Sequence, residues 1–315
     1  MLKKMAKLLS LVLVVVMIGA LVAGCGTTTP PASTPAKKSI KFGVSLKDMS
    51  NPFFVEVRDA MKSKVKAGDE LIYTDCQYNQ AKQLNDIEDM IQQGVSAIFV
   101  TAVDWKGIKP ALEACAKAKI PCIVVDSPVF DVDLATTTVA SDNTLAGVLA
   151  GEAMVKKLGE KGSIVIYENS TSSPAQMRVA GFESVIKKYP NIKVVNRQNG
   201  VGKIEVALPI MENMLQANPE IVGVFAMNDP SALGCLSAVE AAGKLSQISI
   251  IGVDGSTKGK EMVKAGKLLG TSAQFPKKIG EYAVETAYKI IAGETVPKDV
   301  KVPVEFIDKS NVDKY

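Results

Sequence analysis

Residues 248–255 read ISIIGVDG, an apolar run that stops abruptly at an aspartate and a glycine. Residues 122–126, CIVVD, have the same form. Uninterrupted apolar runs of this length are typical of parallel strands that are covered by helices on both faces. The two stretches therefore predict an α/β fold in which strands of a parallel sheet alternate with helices.

Similar runs recur along the chain from Ile40 onward, and amphipathic patterns lie between most of them, as in the face formed by Ala81, Leu84 and Ile87. The length of 315 residues suits two domains, and the number of runs suits two doubly wound sheets. The last run, 302–307, is interpreted as one further strand. The other predicted strands are 40–46, 71–75, 97–101, 122–126, 137–140, 163–167, 192–196, 221–226, 248–253 and 269–273.

The N-terminus has the form of a secretory signal, because lysines at positions 3, 4 and 7 precede an apolar run from Leu8 to Gly24. This run is shorter than the roughly 20 residues that a membrane-spanning helix needs. Val22-Ala23-Gly24-Cys25 resembles the bacterial lipobox, which predicts a lipoprotein signal peptide over 1–24 and a lipidated Cys25. An ordinary signal followed by an unrelated cysteine is the alternative. Residues 25–39 are rich in threonine and proline and predict a flexible tether.

The charge and composition exclude several classes of function. Lysine and arginine total 37 against 33 acidic residues, and three of the lysines lie in the predicted signal, so we expect no nucleic-acid partner. The chain has no histidine, which excludes Ser-His-Asp catalysis and histidine-bound metals. No cofactor or metal site is predicted. The remaining cysteines, 76, 115, 122 and 235, form no C-x-x-C pair and are interpreted as small buried side chains, although a disulfide stays open.

Ligands of doubly wound sheets bind beyond the carboxyl ends of the strands, and polar residues are concentrated there. A purely structural role would also explain several of these residues. Asn51 would then serve only as a helix cap, Asp126 and Asp254 only as turn caps, and Arg178 as a solvated side chain. Asp229 and Pro230 have the pattern of a helix cap and first turn, which would leave Asn228 free to face a cleft. The candidates at these positions are Asn51, Phe53, Asp126, Arg178, Asn228, Asp254 and Gln274.

From about Ile40 to the end, the chain resembles the ribose-type periplasmic sugar-binding proteins of ABC importers. The motifs that carry this resemblance occur in the family's order and spacing. They are Asn51-Pro52-Phe53-Phe54, Ala140-Ser141-Asp142-Asn143, Arg178 before Gly181-Phe182, Val224-Phe225-Ala226-Met227-Asn228-Asp229, Gly252-Val253-Asp254-Gly255 and Ala273-Gln274.

The resemblance implies two doubly wound lobes joined by three crossovers, one of residues 40–141 plus 275–303 and the other of 142–274 plus 304–315. It also implies a sugar or polyol ligand, with permease and ATPase subunits as partners. We further expect a monomer, and the lipobox predicts that it is lipid-anchored at the outer face of the cell membrane. By resemblance, polar side chains would hydrogen-bond the sugar, while Phe53 and Phe54 would pack on its C–H faces. These polar residues are Asn51, Asp126, Arg178, Asn228, Asp254 and Gln274.

Three positions depart from the family pattern. Thr101 replaces an asparagine, Ser127 replaces an arginine, and Gly202 aligns near an aromatic residue of the family. We therefore expect a ligand other than ribose, such as a hexose, a cyclitol or a short oligosaccharide. Trp105 follows Thr101 and either offers a replacement aromatic face for the ligand or packs on its own loop.

Three other functions compete with this interpretation. An enzyme is disfavoured because the S-x-x-K of Ser63 and Lys66 and the S-D-N at 141–143 lack a K-T-G, and residues 255–260 are an incomplete P-loop. A repressor would need a DNA-binding motif before residue 40. A receptor for a sugar-like signalling molecule, or one that feeds a chemoreceptor, stays open. The sequence does not identify the sugar.

Overall fold

The computed structural model describes residues 39–315. The predicted signal peptide, Cys25 and nearly all of the predicted tether lie outside the described residues. Ser39–Tyr315 forms one compact unit. No helix within residues 39–315 is long and apolar enough to cross a membrane.

A first sheet is built by the N-terminal half of this unit. Its strands alternate with helices, and two of these begin with an asparagine cap: Asn51 and Asn79 each accept a hydrogen bond from a backbone N–H group. The strands are β1 (Lys41–Leu46), β2 (Glu70–Asp75), β3 (Ala97–Val100), β4 (Cys122–Val125) and β5 (Thr137–Ser141). The helices are α1 (Pro52–Lys64), α2 (Gln80–Gln92) and α3 (Lys109–Ala118), and a short 3₁₀ turn follows at Val132–Leu134.

The second half of the unit repeats this pattern in a second sheet. Its strands are β6 (Gly162–Glu168), β7 (Ile192–Asn199), β8 (Ile221–Ala226), β9 (Ser249–Asp254) and β10 (Gly270–Ala273). Its helices are α4 (Asn143–Leu158), α5 (Ser173–Ile186), α6 (Ile204–Ala217), α7 (Asp229–Ala241) and α8 (Thr257–Lys264). The chain then forms α9 (Pro276–Ile291), β11 (Asp299–Val302), β12 (Glu305–Asp308) and a 3₁₀ turn at Val312–Lys314.

The strand order is β11-β5-β4-β3-β1-β2 in the first sheet and β12-β10-β9-β8-β6-β7 in the second. All paired strands are parallel except β10 and β12. The chain passes between the sheets three times, after β5, after β10 and after β11. We call the first sheet with the helices packed on it the first lobe, and the second sheet with its helices the second lobe. The predicted α/β class with two doubly wound parallel sheets is confirmed.

The end of the chain differs from the prediction. The run 302–307 is not one strand: β11 ends at Val302 and pairs with β5, while β12 begins at Glu305 and pairs with β10 in the other sheet. Pro303 lies between them. Because proline has no N–H to donate to a ladder, the pairing with the first sheet ends there and the chain crosses to the second.

Each lobe has its own apolar core. In the first lobe, α9 packs on α1 and on strands β4 and β5. In the second lobe, the rings of Phe182 and Phe225 stack with their centroids 4.3 Å apart. The four cysteines between residues 39 and 315 are buried and unpaired, as expected for small buried side chains.

Candidate functional site

A cavity lies between the two lobes where the carboxyl ends of their strands meet. The space between the lobes, including the solvent at its open mouth, is about 530 Å³. The first lobe contributes Lys47, Asn51, Phe53, Phe54, Tyr78, Val103 and Asp126. The second lobe and the crossing after β10 contribute Asn169, Ser172, Pro174, Ala175, Arg178, Gly202, Met227, Asn228, Asp254 and Gln274.

Asp126 directly follows β4 and is buried in the wall of the cavity. Its backbone has a φ of +63°, a region that non-glycine residues seldom adopt. The Ser127 hydroxyl donates to Asp126 Oδ2 over 2.9 Å. Strained conformations of this kind are often retained at functional sites, because there the position of one side chain is worth its energetic cost.

Asp254 occupies the corresponding place at the end of β9, and its φ of +134° is also positive. Gln274 Nε2 donates to Asp254 Oδ1 over 2.7 Å, and Arg178 Nη1 lies 3.7 Å from the same oxygen. Burial raises the pKa of Asp254 to about 7, although the positive charge of Arg178 opposes the shift. Gln274 Oε1 is buried and has no hydrogen-bond partner among residues 39–315. The site therefore holds an acceptor without a donor beside a carboxyl group that is costly to ionise.

Arg178 lies on α5 and is buried, so the solvated alternative does not hold. Its Nε donates to Asn143 Oδ1 and its Nη1 to the Met227 carbonyl, both over 2.8 Å. Helices α4 and α5 approach closely because each has a glycine at the contact: a Cβ at Gly147 or Gly181 would overlap the backbone of the other helix. This contact brings Asn143 within reach of the guanidinium and fixes it beside the cavity.

Asn51 both caps α1 and lines the cavity. Its Oδ1 accepts a hydrogen bond from the Phe53 N–H over 3.0 Å. Phe53 and Phe54 follow in the first turn, with their rings nearly perpendicular and their centroids 5.2 Å apart. The cap thus places two aromatic rings at the first-lobe side of the cavity.

The capping pattern at Asn228 differs from the prediction. Asn228, not Asp229, is the cap of α7, and its Oδ1 accepts from the Ser231 N–H over 3.0 Å. Asp229 is fully buried and accepts hydrogen bonds from Thr271 Oγ1 and the Ser256 N–H. Burial raises its pKa to about 6. Asn228 still lines the cavity while capping the helix.

Two predicted contact residues do not line the cavity in this structure. Thr101 is buried behind it, and its Oγ1 accepts a hydrogen bond from the Lys47 backbone N–H over 2.8 Å. Trp105 packs edge-on against Phe130, with ring centroids 5.5 Å apart. Its backbone N–H donates to the Thr171 carbonyl of the second lobe over 3.3 Å. Trp105 therefore lies at the contact between the lobes, away from the cavity wall.

The sequence analysis missed four polar residues of the cavity wall: Lys47, Tyr78, Asn169 and Ser172. Lys47 comes directly after β1, so the strand-end rule that found Asp126 applies to it as well. Tyr78 has a φ of +57° in the turn after β2, and its backbone N–H donates to the Lys47 carbonyl. Such a turn is set by tertiary contacts and leaves no clear pattern in the sequence. Within residues 39–315, no cluster of three or more acidic or cysteine side chains is placed to hold a metal ion.

Residues 42–295 match the periplasmic binding protein domain family. The chain belongs to this family. It is 33% identical to the ribose import binding protein of Bacillus subtilis, over 90% of this chain and 94% of that protein. It is 31% identical to the xylitol-binding protein of Mycolicibacterium smegmatis, over 94% of this chain and 84% of that protein.

The fold of this family member also matches solved structures of ABC transporter solute-binding proteins. The protein from Bacillus halodurans with bound myo-inositol superposes with a TM-score of 0.84 at 30% identity, covering 89% of this chain and 98% of that one. The protein from Actinobacillus succinogenes with bound D-allose gives a TM-score of 0.81 at 32% identity, covering 88% of this chain and all of that one. The predicted resemblance to the ribose-type binding proteins is confirmed.

Proposed function

We propose that the chain is an extracytoplasmic solute-binding protein that captures a sugar or polyol between its lobes and delivers it to an ABC importer. The observation that carries this proposal is the composition of the cavity wall. Carboxylates, amides and a guanidinium from both lobes surround a space that also has aromatic rings on one side. A hydroxyl both donates and accepts hydrogen bonds, so polyols suit such a mixed wall.

The polar candidates divide the recognition between the lobes. The carboxyl groups of Asp126 and Asp254 accept hydrogen bonds from ligand hydroxyls, while the Arg178 guanidinium donates to the ligand oxygens. The amides Asn51, Asn228 and Gln274 add donors and acceptors, and Phe53 and Phe54 cover the C–H faces of the ligand. Thr101 would act indirectly, through its hydrogen bond to the Lys47 backbone. Trp105 would act through its hydrogen bond to Thr171 of the second lobe.

The lobes proposed here comprise residues 40–141 plus 275–303 and residues 142–274 plus 304–315. They would close on the ligand by a hinge at the three crossings. Contacts between the lobes support this motion: Lys203 Nζ lies 3.7 Å from Asp48 Oδ2 and 5.4 Å from the centroid of the Tyr78 ring. These contacts hold a closed arrangement that a ligand would complete.

The N-terminal residues support a position at the outer face of the membrane. Cleavage before Cys25 and lipidation of its thiol would anchor the tether, residues 25–39, and hold the binding unit near the permease. The protein would act as a monomer and without a cofactor. We expect no chemical turnover of the bound ligand.

Thermal-shift and calorimetric measurements with a panel of neutral sugars and polyols test this function. A ligand at 100 times its Kd stabilises a protein by about 2.7 kcal/mol, which is readily visible in a melting curve. We expect D-allose, myo-inositol or another hexose or cyclitol to give a larger shift than ribose, because Ser127 and Gly202 depart from the pattern of the ribose-type proteins. The largest shift coming from ribose would contradict that expectation, and no shift with any polyol would contradict the function itself.

Arg178→Ala tests the site. Loss of hydrogen bonds from a buried charged group costs about 1.5–3 kcal/mol, so we expect binding to weaken about 10- to 100-fold. Arg197→Ala removes an arginine that forms surface ion pairs on the same lobe with Glu168 and Glu183, and is the matched control. Equal affinities for the two variants would refute the assignment of Arg178.

A further inference from the structure

Two of the four cysteines within residues 39–315 lie side by side in the core of the first lobe. Cys115 is in the last turn of α3, and Cys122 is the first residue of β4. Both side chains are buried in the same apolar cluster, which also contains Leu112 and Val124. The two thiols share a hydrogen bond, which lowers the pKa of Cys115 and raises the pKa of Cys122. The sulfur atoms are therefore in direct contact.

The turn between α3 and β4 brings these two thiols together. Lys119 ends the helix with a φ of +58°, and the Ile120 N–H donates to the Cys115 carbonyl over 3.0 Å. This left-handed turn reverses the chain, so that α3 packs back on the strand that follows it. A cysteine on the buried face of the helix thus meets a cysteine at the start of the strand.

The other two cysteines have different surroundings. Cys76 Sγ donates to the Leu46 carbonyl over 2.9 Å. Cys235 lies in the core of the second lobe, where burial raises the pKa of its thiol to about 12. Both fit the role of small buried side chains. The contact between Cys115 and Cys122 adds to that role the chemistry of two thiols that can react with each other.

We propose that Cys115 and Cys122 form a disulfide that links α3 to β4 and stabilises the first lobe. The proposal uses the extracytoplasmic position proposed above, because disulfides form and persist in oxidising compartments. Closing the bond requires the two sulfurs to approach from hydrogen-bond distance to about 2.05 Å. The packing of the helix on the strand supplies most of this approach.

The oxidant is another disulfide, carried by a small molecule or by a thiol–disulfide exchange protein. The thiolate of one cysteine attacks a sulfur of the oxidant, forms a mixed disulfide and releases the other sulfur as a thiolate. The second cysteine then attacks the first, and the bond to the oxidant breaks. The two cysteines lose two protons and two electrons, and the oxidant becomes two thiols. Because both thiols are buried in the folded lobe, the exchange takes place before α3 packs on β4.

The bond would be a structural cross-link outside the ligand site. Cys122 begins β4, whereas Asp126 follows the other end of this strand and lines the cavity. The link would close a loop of eight residues, from Cys115 to Cys122. Because it restricts the unfolded chain, it should raise the melting temperature by about 4 °C. The affinity for the ligand should not change.

The experiment unfolds the purified full chain and refolds it in a mixture of reduced and oxidised glutathione. Free thiols are then blocked with iodoacetamide, and the protein is digested with trypsin. Lys117 and Lys119 lie between the two cysteines, so trypsin places them in separate peptides, 107–117 and 120–156. Most chains should give these two peptides as one linked species, which dithiothreitol converts into the separate peptides.

The melting temperature gives a second readout. The refolded wild type should melt about 4 °C lower after reduction, whereas Cys115→Ala should melt at the same temperature with and without reductant. Cys122→Ala should behave in the same way and takes the place of Cys115→Ala if that variant does not fold. Cys235→Ala is the matched control, because it removes a buried thiol of the second lobe and should keep the redox-dependent shift.

Two results would overturn the proposal. One is a peptide map in which both cysteines are blocked by iodoacetamide in most refolded chains, or in which either is linked to Cys76 or Cys235. The other is a wild-type melting temperature that does not depend on the reductant. If neither variant folds, the peptide map of the wild type decides alone. Polyol binding is measured separately, so a failure of the disulfide is distinguishable from a failure of the proposed function.

Discussion

Asp254→Asn should make the empty protein more stable and at the same time weaken ligand binding. Burial raises the pKa of this carboxyl group from 3.8 to about 7, even with the Arg178 guanidinium nearby. Asparagine has nearly the same shape and no charge, so it avoids the cost of ionisation. Its amide could also donate to Gln274 Oε1, which has no partner within residues 39–315.

The sign and size of the effect follow from proton linkage. Between pH 4 and pH 7 the folded protein holds a proton on Asp254 that the unfolded chain has released, so the wild type loses stability as pH rises through this window. A difference of about three pKa units lowers the free energy of unfolding of the wild type by about 4 kcal/mol above pH 7. The loss is about 1–2 kcal/mol at pH 5 and vanishes below pH 4. The difference in unfolding free energy between the variant and the wild type should follow this pH dependence.

Other charged groups near Asp254 are present in both proteins, but their pKa values respond to the loss of the Asp254 charge. Asp126 and Asp229 raise the pKa of Asp254 and Arg178 lowers it, while the Asp254 charge in turn raises the pKa of Lys47. Burial raises the pKa of Asp229 to about 6, within the same window, and Asp254→Asn removes a repulsive neighbour from it, so its contribution adds to the stability advantage of the variant with the same sign. Asp299→Asn changes an exposed aspartate at the start of β11 and is the control. The stability difference between this variant and the wild type should be the same at every pH.

Urea unfolding at pH 5.0, 6.5 and 8.0 measures the stability, and calorimetry at pH 8.0 measures the affinity. The variant should bind at least tenfold more weakly, because a neutral amide replaces a charged acceptor. An empty variant less stable than wild type at pH 8.0 would refute the reasoning. A stability difference independent of pH would refute it as well.

Two further predictions concern the contact between the lobes and the anchor. Lys203→Met removes the contacts with Asp48 and Tyr78, which are worth about 0.5–1 kcal/mol, so ligand release in stopped-flow experiments should be about two- to fivefold faster. Lys187→Met, which removes an exposed lysine of the same lobe, is the control, and an unchanged release rate for Lys203→Met would contradict a role in closure. Cys25→Ser should release the protein from the membrane fraction, and its full retention there with the signal cleaved would exclude lipidation of this thiol.

The apolar runs predicted the strands well because buried parallel strands need both faces apolar. The exception, 302–307, shows the limit of that rule. The residues on either side of Pro303 are apolar enough for a single strand, and the hydrophobic pattern does not tell which sheet each part joins. The proline marks the break, but the pairing of β11 with β5 and of β12 with β10 depends on contacts between distant parts of the chain.

The strand-end rule brought most of the cavity-lining candidates together, and it worked because parallel strands deliver their carboxyl ends to one edge. It did not determine the role of each side chain. Asparagine and aspartate are both good caps, so the sequence could not tell that Asn228 caps α7 while Asp229 is buried beneath it. Lys47 was missed because a lysine next to a strand is usually solvated. Only the packing of Ser127 and Phe54 around it shows that it is buried.

The cavity wall holds two pairs of charged groups, Lys47 with Asp126 in the first lobe and Arg178 with Asp254 in the second. These pairs explain why a ligand should drive the lobes together. In this arrangement Arg178 lowers the pKa of Lys47 and Asp254 raises it, while Asp126 raises the pKa of Asp254, so the charged groups of the two lobes affect one another across the cavity. Closing the empty cavity therefore removes water from four ionisable groups that satisfy one another incompletely. In the proposed site, a polyol would restore to these groups the hydrogen bonds that water had provided. Because these bonds would form fully only when both lobes reach the ligand, its binding free energy would favour the closed arrangement over the open one.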